Sequence, residues 1–124
     1  MRTLGIVVLA TCFPFFSFGQ VAHKLAPAPD PGKELRTVTA SCGQCNFGLP
    51  GGDCDLAVRF PQQDGAEKAF YVDGVDISAF GHPHDKDGFC LALRKAEVQG
   101  EVVEGRFKAS YFKLLPPEKE GKAR

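Results

Sequence analysis

The chain has 124 residues, 15 Lys and Arg against 15 Asp and Glu, no Trp and one Met, and its formal charge at neutral pH is zero. Charges of both signs are interspersed, which excludes electrostatic capture of nucleic acid or of an anionic membrane as the organising interaction. One domain fits this length, and five cysteines and three histidines carry most of the potential chemistry.

Residues 1–19 read as a signal peptide. Arg2 supplies the positive charge, Leu4 to Phe18 is apolar apart from Thr11, Cys12, Pro14 and Ser17, and Ser17-Phe18-Gly19 sets small residues before a cut at Gln20. The run is short and broken by Pro14, so it does not read as a membrane span. Leu9-Ala10-Thr11-Cys12 is a weak lipoprotein box, because Thr11 is large for the position before a lipidated cysteine; lipidation at Cys12 ranks below simple cleavage. The expected location is periplasmic or secreted, with no transmembrane segment left. Cys12 departs with the leader, and the mature chain of about 105 residues keeps Cys42, Cys45, Cys54 and Cys90 in a compartment where disulfides persist.

Gln20 to Lys33 holds Pro27, Pro29 and Pro31 among alanines, the pattern of an extended linker or a disordered arm. A β-rich domain is expected over 34–115. Leu35 to Ser41 carries the β-branched run Thr37-Val38-Thr39. Cys54 to Phe60 alternates, with Leu56, Val58 and Phe60 on one side. Ala69 to Val72 reads as a strand turned by Asp73-Gly74, and a single helical turn is expected from Asp76. Phe89 to Leu93 reads as a further strand. Ala96 to Val103 and Phe107 to Leu115 make the strongest hairpin, joined by Glu104-Gly105 and interrupted at Gly100, where a bulge or barrel bend is expected. Residues 116–124 read as a disordered charged tail. No long stretch holds a 3.6-residue period. The expected fold is mostly β: a small antiparallel barrel, OB-like, stapled by disulfides or a metal. A flat sheet with one helix is the runner-up.

The segment from Ser41 to Leu115 resembles a family of small exported bacterial domains of unknown function. The likeness rests on Cys42-Gly43-x-Cys45, Gly52-x-Cys54-Asp55-Leu56-Ala57-Val58 and Tyr71-Val72-Asp73-Gly74. It continues through His84-x-x-Asp87-Gly88-Phe89-Cys90, Ala96-x-Val98-x-Gly100 and Arg106-Phe107-x-Ala109. The resemblance implies export and one compact domain and brings no activity. It also implies that His84, Asp87 and Cys90 belong to a shared site while His82 is a local variation.

The cysteines admit three readings. The first is two structural disulfides, each contributing about 2–4 kcal/mol; Cys45–Cys54 and Cys42–Cys90 is the preferred pairing, although sequence alone cannot choose among the alternatives. The second is a metal centre: Cys42-Gly43-Gln44-Cys45 is a two-point clip, and Cys54 and Cys90, or His84 in place of one of them, would complete it for Zn or Cu. The third is thiol–disulfide exchange through Cys42 and Cys45. It ranks last because such a motif works at a helix N-terminus, and the three glycines and Pro50 that follow argue against a helix there.

His82-Pro83-His84 sets two imidazoles on one side of an extended segment, with Asp85 and Asp87 nearby, a donor set suited to Zn or Cu(II). Within that reading His84 ranks first and His82 second; the competing reading is a plain polar loop with a turn at Asp87-Gly88. His23 falls in the linker. No nucleophile elbow and no phosphate-binding loop is present, so no catalytic residue is assigned and an enzyme is not expected. The sequence therefore points to an exported binding module for a metal ion, a small ligand or another envelope protein, with a ligand-free, disulfide-stapled interaction domain as the alternative.

Overall fold

The computed structural model of the protein describes residues 25–118. The expected signal peptide at residues 1–19, Cys12, His23 and the last six residues of the tail lie outside the described residues. Five strands and one short helix follow in order: β1 (Arg36–Cys42), α1 (Gly43–Asn46), β2 (Leu56–Pro61), β3 (Glu67–Asp73), β4 (Arg94–Val103) and β5 (Arg106–Leu114). They close into a barrel ordered β1-β2-β3-β5-β4, with β4 returning to β1. This is the expected OB-like barrel rather than the flat sheet. One pairing departs from the antiparallel expectation: β3 and β5 run parallel where Val72 meets Phe107 and Asp73 meets Lys108.

Alternation decides which side chains enter the barrel. Leu56, Val58 and Phe60 of β2, Val38 and Ala40 of β1, Ala96 and Val98 of β4, and Phe107, Ala109 and Phe112 of β5 form one buried core. The β4–β5 hairpin turns at Glu104 (φ 52°) and Gly105 (φ 76°), both in the left-handed region that a two-residue primed turn demands. The bend expected at Gly100 is a bulge: Gln99 opposes Tyr111 and Gly100 opposes Ala109, leaving Ser110 as the extra residue. A side chain at Gly100 would run into the backbone carbonyl of Lys108.

The expected strand at Phe89–Leu93 is a series of turns instead. Closure gives the physical reason. Every strand already has two neighbours, so no edge is left for a sixth to join. The connection from β3 to β4 caps one end of the barrel and inserts Phe89 into the core at 3% exposure. Leu91 and Leu93, which a buried strand would have covered, stay 66% and 55% exposed. At Asp76 the chain makes the expected single turn, with Ala79 N–H donating to the Asp76 carbonyl (3.0 Å) and Ser78 N–H to its carboxylate (2.8 Å).

The proline-rich stretch lies against the barrel from Leu25 onward. Leu25 packs on the core, and Ala26 N–H donates to the carbonyl of Ser110 (2.8 Å). The buried Gln99 amide fixes the rest: its oxygen accepts from Asp30 N–H (2.8 Å), and its nitrogen donates to the carbonyls of Asp30 (2.8 Å) and Lys33 (3.1 Å). No helix among the described residues is long and apolar enough to cross a membrane.

Candidate metal centre

Three separate segments bring the four cysteines to one end of the barrel. Cys42 is the last residue of β1, paired with Leu56 of β2. Cys45 sits in α1, Cys54 precedes β2, and Cys90 lies in the cap between β3 and β4. Their sulfurs all lie within 4.8 Å of one another, and among the described residues this is the one group of three or more His, Cys, Asp or Glu placed to hold a metal. The Cys42 and Cys45 sulfurs are 2.7 Å apart and those of Cys45 and Cys54 3.7 Å. Cys42 is buried, Cys54 and Cys90 are half-buried and Cys45 is exposed; all four are free thiols, so neither expected disulfide pairing is present as a bond.

The Cys-x-x-Cys segment does start a helix, against the expectation drawn from its glycines and Pro50. Cys42 is the N-cap of α1, and its sulfur accepts from the backbone N–H of Cys45 at 3.2 Å. The glycines act one turn later than expected: Phe47 and Leu49 N–H both close on the Gly43 carbonyl, and Gly48 (φ 68°) turns the chain out of the helix. Four residues give one turn and little dipole. Gly43 itself cannot be replaced easily, because a Cβ there would meet the Tyr71 ring at 2.5 Å.

A second layer of polar contacts holds the ligand-bearing loops. Gln44 clamps Asp55 from both sides: its oxygen accepts from Asp55 N–H (2.9 Å) and its amide donates to the Asp55 carboxylate (2.8 Å). Gly43 N–H donates to the Asp55 carbonyl (2.8 Å), and Tyr71 hydroxyl donates to the Pro50 carbonyl (2.5 Å). On the other side, Ser41 hydroxyl bonds to the carbonyls of Phe89 and Ala92 (2.8 Å each). Asn46 donates to Ser41 (2.7 Å) and to the Phe89 carbonyl (3.1 Å), so β1, α1 and the Cys90 cap form one unit. The sequence pattern alone gives these supporting residues no role. Asp55 and Tyr71 stand inside the motifs quoted above, whereas Gln44 falls on the variable position of its motif and nothing local marks it.

Burial disfavours a Cys42 thiolate, but the neighbouring Cys45 sulfur, the Cys45 N–H and the Cys54 and Cys90 thiols favour it, and together they bring its pKa below the usual thiol value. Cys45 is driven well above that range, first by its bond to Cys42. Burial, with help from Cys54, pushes Cys90 up to about 11. The cluster is therefore a donor set that gives up protons when a cation enters.

His82 and His84 do lie side by side, with ring centroids 5.4 Å apart, but His84 N–H donates to His82 Nδ1 (3.2 Å) and the rings are tilted by 48°. Among the described residues the pair is not joined by Asp85, Asp87 or another donor into a set of three. All four of these residues are exposed.

The model of a family described as a family of unknown function (DUF6370) matches residues 36–115, which span the whole barrel and all four cysteines. No curated protein and no solved structure matches the chain. The chain belongs to that family, whose description supplies no activity.

Proposed function

We propose that this member of an uncharacterised family is a small exported binding module that holds one thiophilic metal ion, zinc or copper, through Cys42, Cys45, Cys54 and Cys90. One observation carries the reading: four sulfurs from three chain segments lie within 4.8 Å of each other. Tetrahedral zinc–thiolate bonds of about 2.3 Å place sulfurs about 3.8 Å apart, so shifts of about 1 Å suffice to close the set around an ion. The donor set also supports it. Four thiolates favour zinc or copper(I) over hard cations, and four protein ligands leave no open position for a reacting water. The clamp made by Gln44 and Asp55 and the bonds of Ser41 and Asn46 supply the outer support that fixes ligand direction. Export fits the leader-like residues 1–19.

The test is a competition between the fully reduced mature chain and a chromogenic zinc chelator, followed by thiol alkylation and intact mass. The reading expects one tightly held zinc and four thiols that resist alkylation until the metal is removed. A reduced chain that takes no zinc from the chelator, with four thiols freely alkylated, contradicts it. Purification as a species four hydrogens light, with both sulfur pairs bonded and no affinity for metal after mild reduction, would support the stapled domain instead.

A further inference from the structure

We propose that the same centre is a redox-gated release site: a small soluble disulfide converts Cys42 and Cys45 into an intramolecular disulfide, and the metal leaves. The inference rests on the metal reading above and adds the regulation of that site.

Accessibility sets the order of events. Cys45 is exposed at the rim while Cys42 is buried behind it, so a dissolved oxidant reaches Cys45 first. The Cys45 sulfur, a thiolate while it holds the metal, attacks one sulfur of the oxidant RSSR, forming a mixed disulfide and expelling RS⁻. The Cys42 thiolate, one helical turn away and at 2.7 Å before a metal draws the sulfurs apart, then attacks the Cys45 sulfur; the protein S–S bond forms and the second RS⁻ departs. Two electrons have passed from two protein thiolates to RSSR. The zinc keeps its oxidation state and leaves as the hydrated ion. Both RS⁻ groups, and the Cys54 and Cys90 thiolates left behind, take up protons from water. Two cysteines cannot hold what four held.

Local geometry selects the pair. Cys42 and Cys45 cap and fill a single turn, so joining them requires no movement of one barrel element against another. The competitor, Cys54, is 3.7 Å from Cys45 and is held by the long glycine-rich loop; Cys90 sits in a separate cap hydrogen-bonded to β1. The Cys42–Cys45 ring is also the smallest of the candidate loops. It stabilises the fold least and is the easiest to reduce again, which is what a reversible gate needs.

The experiment adds oxidised glutathione to the zinc-loaded mature chain. Free zinc is followed with a chromogenic chelator, and the disulfide is mapped by mass spectrometry after alkylation. The expected result is one zinc released for each disulfide formed, a Cys42–Cys45 linkage, alkylated Cys54 and Cys90, and full reloading after reduction. Cys45→Ser should slow release by about an order of magnitude or more. Retention of zinc through complete oxidation, a Cys45–Cys54 or Cys42–Cys90 linkage, or Cys45→Ser releasing as fast as the parent would each overturn the gate while leaving the metal reading intact. A reduced chain that never binds zinc removes both.

Discussion

The two ends of this barrel are held together by different means. At the hairpin side, β4 and β5 bury Val98, Phe107, Ala109 and Phe112, and the Gln99 amide ties the N-terminal stretch down with three hydrogen bonds. At the cysteine end, α1 buries only Gly43, and residues 50–53 of the following loop are all exposed. Order there rests on the Phe89 plug, on polar clamps and on the four sulfurs. The contrast assigns global stability to the hairpin side and metal affinity to the cysteine end, so substitutions in one should leave the property of the other unchanged.

The largest expected effect comes from cutting into the shared core. Phe107 is fully buried and packs on Phe60 with ring centroids 5.0 Å apart. Phe107→Ala should cost about 3–5 kcal/mol in denaturant unfolding. If it costs less than about 1 kcal/mol, the hairpin side does not carry the stability assigned to it. Gln99→Ala comes next: it strips partners from Asp30 N–H and from the Asp30 and Lys33 carbonyls, and should cost about 1–3 kcal/mol with zinc affinity unaltered. A matching loss of zinc affinity would join the two ends that the comparison separates.

Gln44→Ala sharpens the other side. It releases Asp55 and the loop that carries Cys54, and should weaken zinc binding about 10–100-fold while the unfolding midpoint of the metal-free chain hardly moves. An unchanged zinc affinity would mean that the clamp does not orient the ligands. The smallest effect is expected from His84→Ala, which leaves zinc binding and stability as they were, because His84 is exposed and lies outside the sulfur set. A tenfold loss would return the metal to the histidine loop that the sequence singled out.

Much of the barrel was legible because its signals are local. Alternation through Leu56, Val58 and Phe60, and the Glu104-Gly105 turn between two apolar arms, identify β2 and the hairpin without reference to the rest of the chain. Phe89–Leu93 failed for a non-local reason. Its pattern suits a strand, but a closed barrel has no vacant edge, so Phe89 enters the core as a plug. Propensity hides the start of α1, because the glycines that end a helix also argue against one; the cap made by the Cys42 sulfur is a side-chain contact that propensities do not carry. Likewise, the separation of Cys45, Cys54 and Cys90 along the chain does not encode that β1, the β2 entry and the cap converge. The histidine pair stood out in the sequence because its two members are neighbours, and its loop offers them no third ligand among the described residues.

The most direct test of the central claim is X-ray absorption at the zinc edge of the reduced, zinc-loaded chain. Four sulfurs at about 2.3 Å, with no lighter scatterer in the first shell, is the predicted result. A shell containing nitrogen at about 2.0–2.1 Å, as imidazole from His82 or His84 would give, contradicts it.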